Sequence, residues 1–377
     1  MEEWKEYRLG EVVNILDYKR IPLSSAERKT REGGFPYYGA QGIIDYIDDY
    51  IFDGTYLLIA EDGENLKSKK QDIAQLAHGK YWVNNHAHIV ESNGICDIRY
   101  LCYILNNIDL SGYITGSAQP KLNQANLSAI SIILPSLNLQ EQIADFISMF
   151  DNKIELNRRI NDNLEQQAQA LFNYYFIDTP ELLGEFSVRS LADAANYVNG
   201  LAMQKYRPIN GEKGLPVLKI KELGQGRIDS SSDFCSNEID SYYKVYDGDV
   251  IFSWSGTLMV KIWCGGKCGL NQHLFKVSSK TTPKWFYYFW TKHHLDNFIR
   301  IAKDKAVTMG HIKRGELEKA EVLFPNNSVM KKLDTLMAPF LDQIIEKECE
   351  IRKLALLRDT LLPKLISGEL VINDINN

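Results

Sequence analysis

Three places in the sequence carry residue types at spacings that chemistry uses. Cys264 and Cys268, with His273 five residues on, offer two thiols and an imidazole, a ligand set that suits zinc. A fourth ligand at a usual spacing is missing, and two buried thiols in a hairpin explain the pair without a metal. Gly266-Lys267-Cys268 has the form of the end of a phosphate-binding loop, where glycines let the backbone close on phosphates and a hydroxyl holds magnesium. Here the opening glycine position is Lys261, and Cys stands where Ser or Thr is needed. Gly224-Gln225-Gly226 is half of a dinucleotide fingerprint and opens no helical pattern. There is no Asn-Pro-Pro-aromatic run of the amino-methyltransferase kind, and no paired acids with a lysine as in nucleases. The chain reads as a reader or scaffold, not an enzyme.

The elements that would position such a reader are written twice. Ile130–Pro135 and Ala320–Pro325 are short apolar strands closed by proline and offset by 190 residues. After each proline comes a long glycine-free segment with helical periodicity. A heptad walk from Ile143 to Tyr175 meets eight apolar residues in ten, interrupted by Asn157 and Asn161. Adding 190 gives a walk from Leu333 to Leu365, again eight in ten, interrupted by Lys347 and Arg358. The two helices are expected to pack as an antiparallel coiled-coil pair, with Pro339 and Pro363 kinking or breaking the second. Upstream, Arg8–Asn14 parallels Ser190–Asn196, Tyr56–Gly63 parallels Asp249–Gly256, and Trp82–His86 parallels Gly269–His273.

Short Val, Ile and Tyr-rich runs between Gly, Asn and Asp turns give these upstream segments a mixed α/β reading. One aromatic helix interrupts the strands of each copy, at Arg99–Asn107 and Lys284–Phe298. The run Trp285–Trp290 covers every face of its helix, so core packing accounts for it better than base stacking. The fold class is α+β with an internal pseudo-two-fold repeat: globular segments at 1–134 and 179–325, helices at 135–178 and 326–377. A length of 377 residues suits two or three domains. No apolar run is long enough for a membrane span, the acidic N-terminus lacks a signal-peptide layout, and six scattered cysteines form no disulfide scaffold. A reduced, cytoplasmic protein is expected. The net charge of −6 is uneven: −5 over 1–134, −4 over 135–178, +4 over 179–325 and −1 over 326–377. If the chain binds DNA, a basic partner must supply much of the phosphate contact.

These residues carry a family resemblance that extends over essentially the whole chain. Gln140–Ala144 through Asp151–Asn157 to Leu171-Phe172 resembles the central conserved region of type I restriction-modification specificity (S) subunits. Leu357–Leu370 resembles the C-terminal conserved region of that family, and Phe35–Tyr46 with Leu58–Gly63 is similar to a common target-recognition domain. The second globular segment departs more, with Pro216–Ile220 where the first has Pro36–Ala40. The resemblance implies two target-recognition domains, each reading half of a bipartite, asymmetric site in double-stranded DNA. It implies helices that space them and dock two modification (M) subunits, with restriction (R) subunits joining for cleavage. S-adenosylmethionine, ATP and Mg²⁺ would belong to those partners, leaving this chain without cofactor, metal or catalytic residue. The alternative is a coiled-coil scaffold that pairs two protein partners without reading DNA.

Base edges are read by short polar side chains on loops, and phosphates by nearby Lys and Arg. In the first copy this selects Tyr37, Tyr38, Gln41, Glu61, Asp62, Asn85, His86, Gln119 and Lys121. Two of these, Glu61 and Asp62, are acids, which suit DNA only as acceptors from cytosine N4. In the second copy it selects Lys219, Lys221, Ser253, Trp254, Ser255, Gln272 and His273, with the basic loop residues Thr308, His311, Lys313 and Arg314 for phosphates. A core role for both histidines, and a turn role for Glu61 and Asp62 beside Gly63, are the alternatives.

Overall fold

The computed structural model describes residues 4–116, 119–209, 211–304 and 310–372. The chain divides into two compact units, Met1–Asp151 with Leu357–Asn377, and Asn152–Leu356.

The first unit is built on a six-stranded sheet with the order Val13–Ile15, Ala87–Ser92, Phe52–Ala60, Ala74–Val83, Glu32–Gly39, Gly42–Ile47. All pairs are antiparallel except Glu32–Gly39 with Ala74–Val83. The continuous apolar run Leu57–Ala60 exists because both faces of this strand are covered. Leu57 and Ile59 pack beneath helix Ile98–Asn107, while Leu58 packs with Phe52, Tyr81 and Ile89. That helix starts where the Asp97 side chain accepts from the Arg99 and Tyr100 N–H groups, and buries Tyr100, Leu101, Ile104 and Leu105. An antiparallel ribbon of Lys5–Arg8 and Ser131–Leu134 leads into the long helix Leu137–Asn173. The end of the chain returns to its beginning: a Cβ on Gly368 would sit 3.1 Å from the Trp4 ring.

The second unit repeats the plan. Asn196–Asn199, Leu274–Ser278, Asp249–Ser253 and Met259–Trp263 form one sheet. A second sheet contains the parallel pair Leu215–Leu218 and Cys268–Leu270, and the closing ribbon is Phe186–Ser190 with Glu321–Pro325. The same backbone bond opens each copy: Leu9 N–H donates to Ile130 O, and Leu191 N–H to Ala320 O, both at 2.8 Å. The aromatic helix divides at His294 into Lys284–His293 and Leu295–Asp304, and all of Trp285–Trp290 is buried, as core packing requires.

None of the twenty heptad positions is exposed. Within the second unit the helical segments run antiparallel, with Lys153 3.7 Å from Glu350 and Asn161 Nδ2 donating to Glu348 Oε1 at 2.8 Å. Within the first, Ile143 and Ile147 pack with Leu362 and Leu365. There Arg358 meets Asp151 at 2.7 Å, and Asp151 also accepts from the Tyr103 hydroxyl at 2.6 Å. Pro339 and Pro363 do not break the second helix, which runs uninterrupted from Asn327 to Ile366. Each costs a backbone hydrogen bond, but buried neighbours, Met337 and Leu341 around one and Leu362 and Leu365 around the other, hold the helix in place. No helix of the described residues is long and apolar enough to cross a membrane.

Cys264 and Cys268 are both buried and free, and burial pushes the Cys264 thiol up to about 12. They do not gather with His273 into a metal-binding group. Among the described residues the only such grouping is Asp17, Glu61 and His88.

Candidate functional site

In the first copy, three backbone bonds draw separate strand ends into one cluster. Glu61 N–H donates to His86 O at 2.9 Å, Leu122 N–H to Glu61 O at 2.8 Å, and Gly63 N–H to Pro120 O at 3.1 Å. This clamp places Glu61, Asp62, His86 and Lys121 together. Behind them lies a buried ionic group. Arg20 reaches Glu61 Oε2 at 2.7 Å and Asp17 Oδ2 at 3.2 Å, and also donates to the Ala87 carbonyl at 2.9 Å. Lys121 lies 3.2 Å from the other Glu61 oxygen. His88 is 1% exposed, with Nδ1 2.5 Å from Asp17 and Nε2 2.7 Å from the Leu122 carbonyl, so both ring nitrogens face acceptors. Asp17, Glu61 and His88 are close enough to hold a cation, and the Arg20 guanidinium is the cation seated between the two acids.

Burial alone would raise both carboxyls. For Asp17, the bond to and charge of His88, the Ile89 N–H and Arg20 outweigh it. For Glu61, Arg20, His88 and Lys121 do so. Both groups therefore titrate below their ordinary values.

The second copy builds the same clamp from other residues. Trp254 N–H donates to His273 O at 3.4 Å, Ile312 N–H to Trp254 O at 3.1 Å, and Gly256 N–H to Gly310 O at 3.0 Å. Glu61 thus corresponds to Trp254, Asp62 to Ser255, His86 to His273 and Lys121 to His311, the last pair in equivalent isolated bridges. Strand pairing extends the match, setting Asn199 where Asp17 stands and Phe275 where His88 stands. The ionic group is absent here. Trp254 Nε1 donates to Asn199 Oδ1 at 3.0 Å, and its ring lies 5.7 Å from Phe275 and 6.2 Å from His311.

The remaining selected residues divide. Tyr37 is fully buried, with its hydroxyl accepting from Leu23 N–H at 2.9 Å and Arg28 over its ring. It is a core residue, as the alternation of strand Glu32–Gly39 places it on the inner face. Ser253 is likewise fully buried and bonds back to the Ser255 carbonyl at 3.2 Å. Tyr38 is half-buried against Tyr81. Gln41 is exposed at the two-residue turn Ala40-Gln41, and its amide lies near Gly63. Asn85 and Gln119 are exposed.

Lys219, just before the short helix that begins at Ile220, is paired with Asp233, and Lys221, within it, with Asp229 at 2.9 Å. Arg314 donates to the Tyr197 carbonyl at 2.7 Å, a structural bond, while His311 and Lys313 are exposed. Thr308 lies outside the described residues. Sequence reasoning missed Asp17, Arg20, His88 and Asn199. The available signal was His88 inside the apolar strand Ala87–Ser92, since a buried polar ring needs partners.

Comparison with known proteins agrees with this duplicated plan. The profile of the type I restriction modification DNA specificity domain matches residues 1–166 and again 184–357, and the chain belongs to that family. A putative type I restriction enzyme specificity subunit of Haemophilus influenzae is 38% identical over 145 residues, 38% of this chain and 36% of that relative. The MjaIX specificity subunit of Methanocaldococcus jannaschii is 25% identical along 99% of this chain and 98% of its own length. The crystal structure of an S subunit from M. genitalium shares the fold, with a TM-score of 0.63 over 97% of this chain and 96% of that one, at 14% identity.

Proposed function

We propose that this chain is the DNA-reading subunit of a type I restriction-modification complex and has no catalytic centre of its own. Residues 1–134 and 179–325 each read half of a bipartite, asymmetric site. The helical segments 135–178 and 326–377 set the spacing and dock two modification subunits, with restriction subunits joining for cleavage. S-adenosylmethionine, ATP and Mg²⁺ act on those partners. The observation that carries this reading is the clamp built twice with different side chains. A bipartite reader needs the same placement in each half and different chemistry at the contact. The acidic balance of residues 1–134 fits a subunit whose partners supply most phosphate contacts. Within the clusters, Gln41, Asp62, Asn85, His86, Gln119 and Lys121 face the first half-site, and Trp254, Ser255, Gln272, His273, His311 and Lys313 the second. The test is to exchange residues 1–134 for those of a related subunit, then sequence the methylated motif in cells that also make the modification subunit. One half of the motif changes and the other stays. A change in both halves overturns the reading.

A further inference from the structure

At one corresponding position of the two clamps the side chain is the same, histidine, and it is held in the same way. In the first copy, His86 N–H donates to Asn84 Oδ1 at 2.8 Å, and Nδ1 lies 2.8 Å from Asp62 Oδ2. In the second, His273 N–H donates to Asn271 Oδ1 at 3.2 Å, and Nδ1 lies 3.0 Å from Ser255 Oγ. An ionised carboxylate offers only lone pairs, so the neutral His86 ring carries its hydrogen on Nδ1 and has an acceptor at Nε2. In the second copy the outward nitrogen is occupied: Gln272 Nε2 lies 3.3 Å from His273 Nε2. An amide NH₂ only donates, so this Nε2 also accepts and Nδ1 donates to the serine.

The Gln272 amide is a planar nitrogen bearing two hydrogens, the same donor that adenine N6 and cytosine N4 present in the major groove. Asn85, in the corresponding place, is one methylene shorter. Among the described residues nothing bonds to Nε2 of His86, whose side chain is 49% exposed.

Resting on the DNA-reading function above, the geometry points to His86 and His273 as corresponding base-edge readers of the two half-sites. Each accepts at Nε2 from an exocyclic amino group, and Gln272 yields its intramolecular bond to the base. A ring pinned at Nδ1 and at its backbone N–H loses little freedom on binding. While neutral it offers no donor to guanine O6 or thymine O4, so it discriminates by what it lacks as well as by what it accepts.

The test uses the full chain with its modification subunits and duplexes carrying the site found for the wild-type complex. At each adenine or cytosine in turn, the base is replaced by its analogue without the amino group, purine or 2-pyrimidinone. In the wild type, one position in each half loses about tenfold in affinity or more. H86A loses the same on natural DNA, and the analogue at the first-half position then costs nothing further; H273A behaves likewise in the second half only. Losses that multiply at every position, or a variant that weakens all sequences equally, overturn the assignment. If the wild-type complex does not prefer its site to a scrambled duplex, the DNA-reading function itself falls. If it prefers the site but shows no coupling to either histidine, only this inference falls.

Discussion

Behind one clamp lie Asp17, Arg20, Glu61 and His88; behind its counterpart lie Asn199, Trp254 and Phe275. The backbone bonds that frame the two spaces are the same, residue for residue. The frame therefore demands only that its interior be filled and its polar atoms be satisfied. An interlocked ion group meets that demand at a large desolvation cost, which its mutual attraction offsets only while every member is present. An aromatic stack meets it through buried area and one indole hydrogen bond. The two halves should accordingly fail in different ways.

The sharpest break is Arg20→Met, which removes the guanidinium between two mostly buried carboxylates and leaves only His88 and the more exposed Lys121 to offset them. A loss of about 3 kcal/mol is expected, confined to the first unit, in urea denaturation followed by amide signals of each unit. A loss near zero would mean that the ion group is incidental to the frame. Next comes Trp254→Ala, which removes the stack on Phe275 and the bond to Asn199. It should cost the second unit about 2 kcal/mol in the same measurement.

Acid should separate the halves without any substitution. Asp17 and Glu61 titrate below their ordinary values of 3.8 and 4.5 in the folded chain, so the unfolded chain takes up protons first. Their stabilisation is complete above pH 4.5 and is lost as pH falls through the ordinary and then the depressed folded values. In Asp17→Asn the part due to Asp17 disappears from the acid titration of the first unit, while Asn199 and Trp254 give the equivalent region of the second no such dependence.

The smallest effect concerns the helices. Asn157 is fully buried in the seam, and its counterpart 190 residues on is Lys347, half-buried and 3.0 Å from Glu350. Asn157→Leu should raise stability by about 1 kcal/mol, whereas Lys347→Leu should change it by less, since a partly exposed ion pair contributes little. Thermal denaturation of the two variants side by side checks the order.

The repeat and the helices were legible because they rest on periodicity, which survives divergence. All twenty seam positions are at least half-buried, polar ones included. The prolines misled as to a break, because local propensity says nothing of the packing that holds a helix together around them. Much of the clustered polar set was also legible, since Glu61, Asp62, His86 and Lys121 sit beside turn residues. Tyr37 was misplaced by composition, although its alternation with Tyr38 along the strand assigns it inward. Of the ion group, only Glu61 and the polar ring of His88 within an apolar strand gave a sequence signal; the pairing itself did not. Asp17 and His88 are 71 positions apart, and no local pattern announces a pairing made by sheet register.

The first unit is assembled from both ends of the chain, with the segment from Leu357 onward packed beside Trp4 and Ile143. On the ribosome this reverses the usual order, in which the N-terminal part of a protein is finished first. The second unit is one uninterrupted stretch and can complete its core as soon as Leu356 has emerged. The first must wait for Leu362 and Leu365 to join Ile143 and Ile147 in its core. A nascent chain stalled just after Leu356 would therefore carry a folded second unit and an unfinished first one, so a stop codon at that point would disable the unit whose larger part is made earlier.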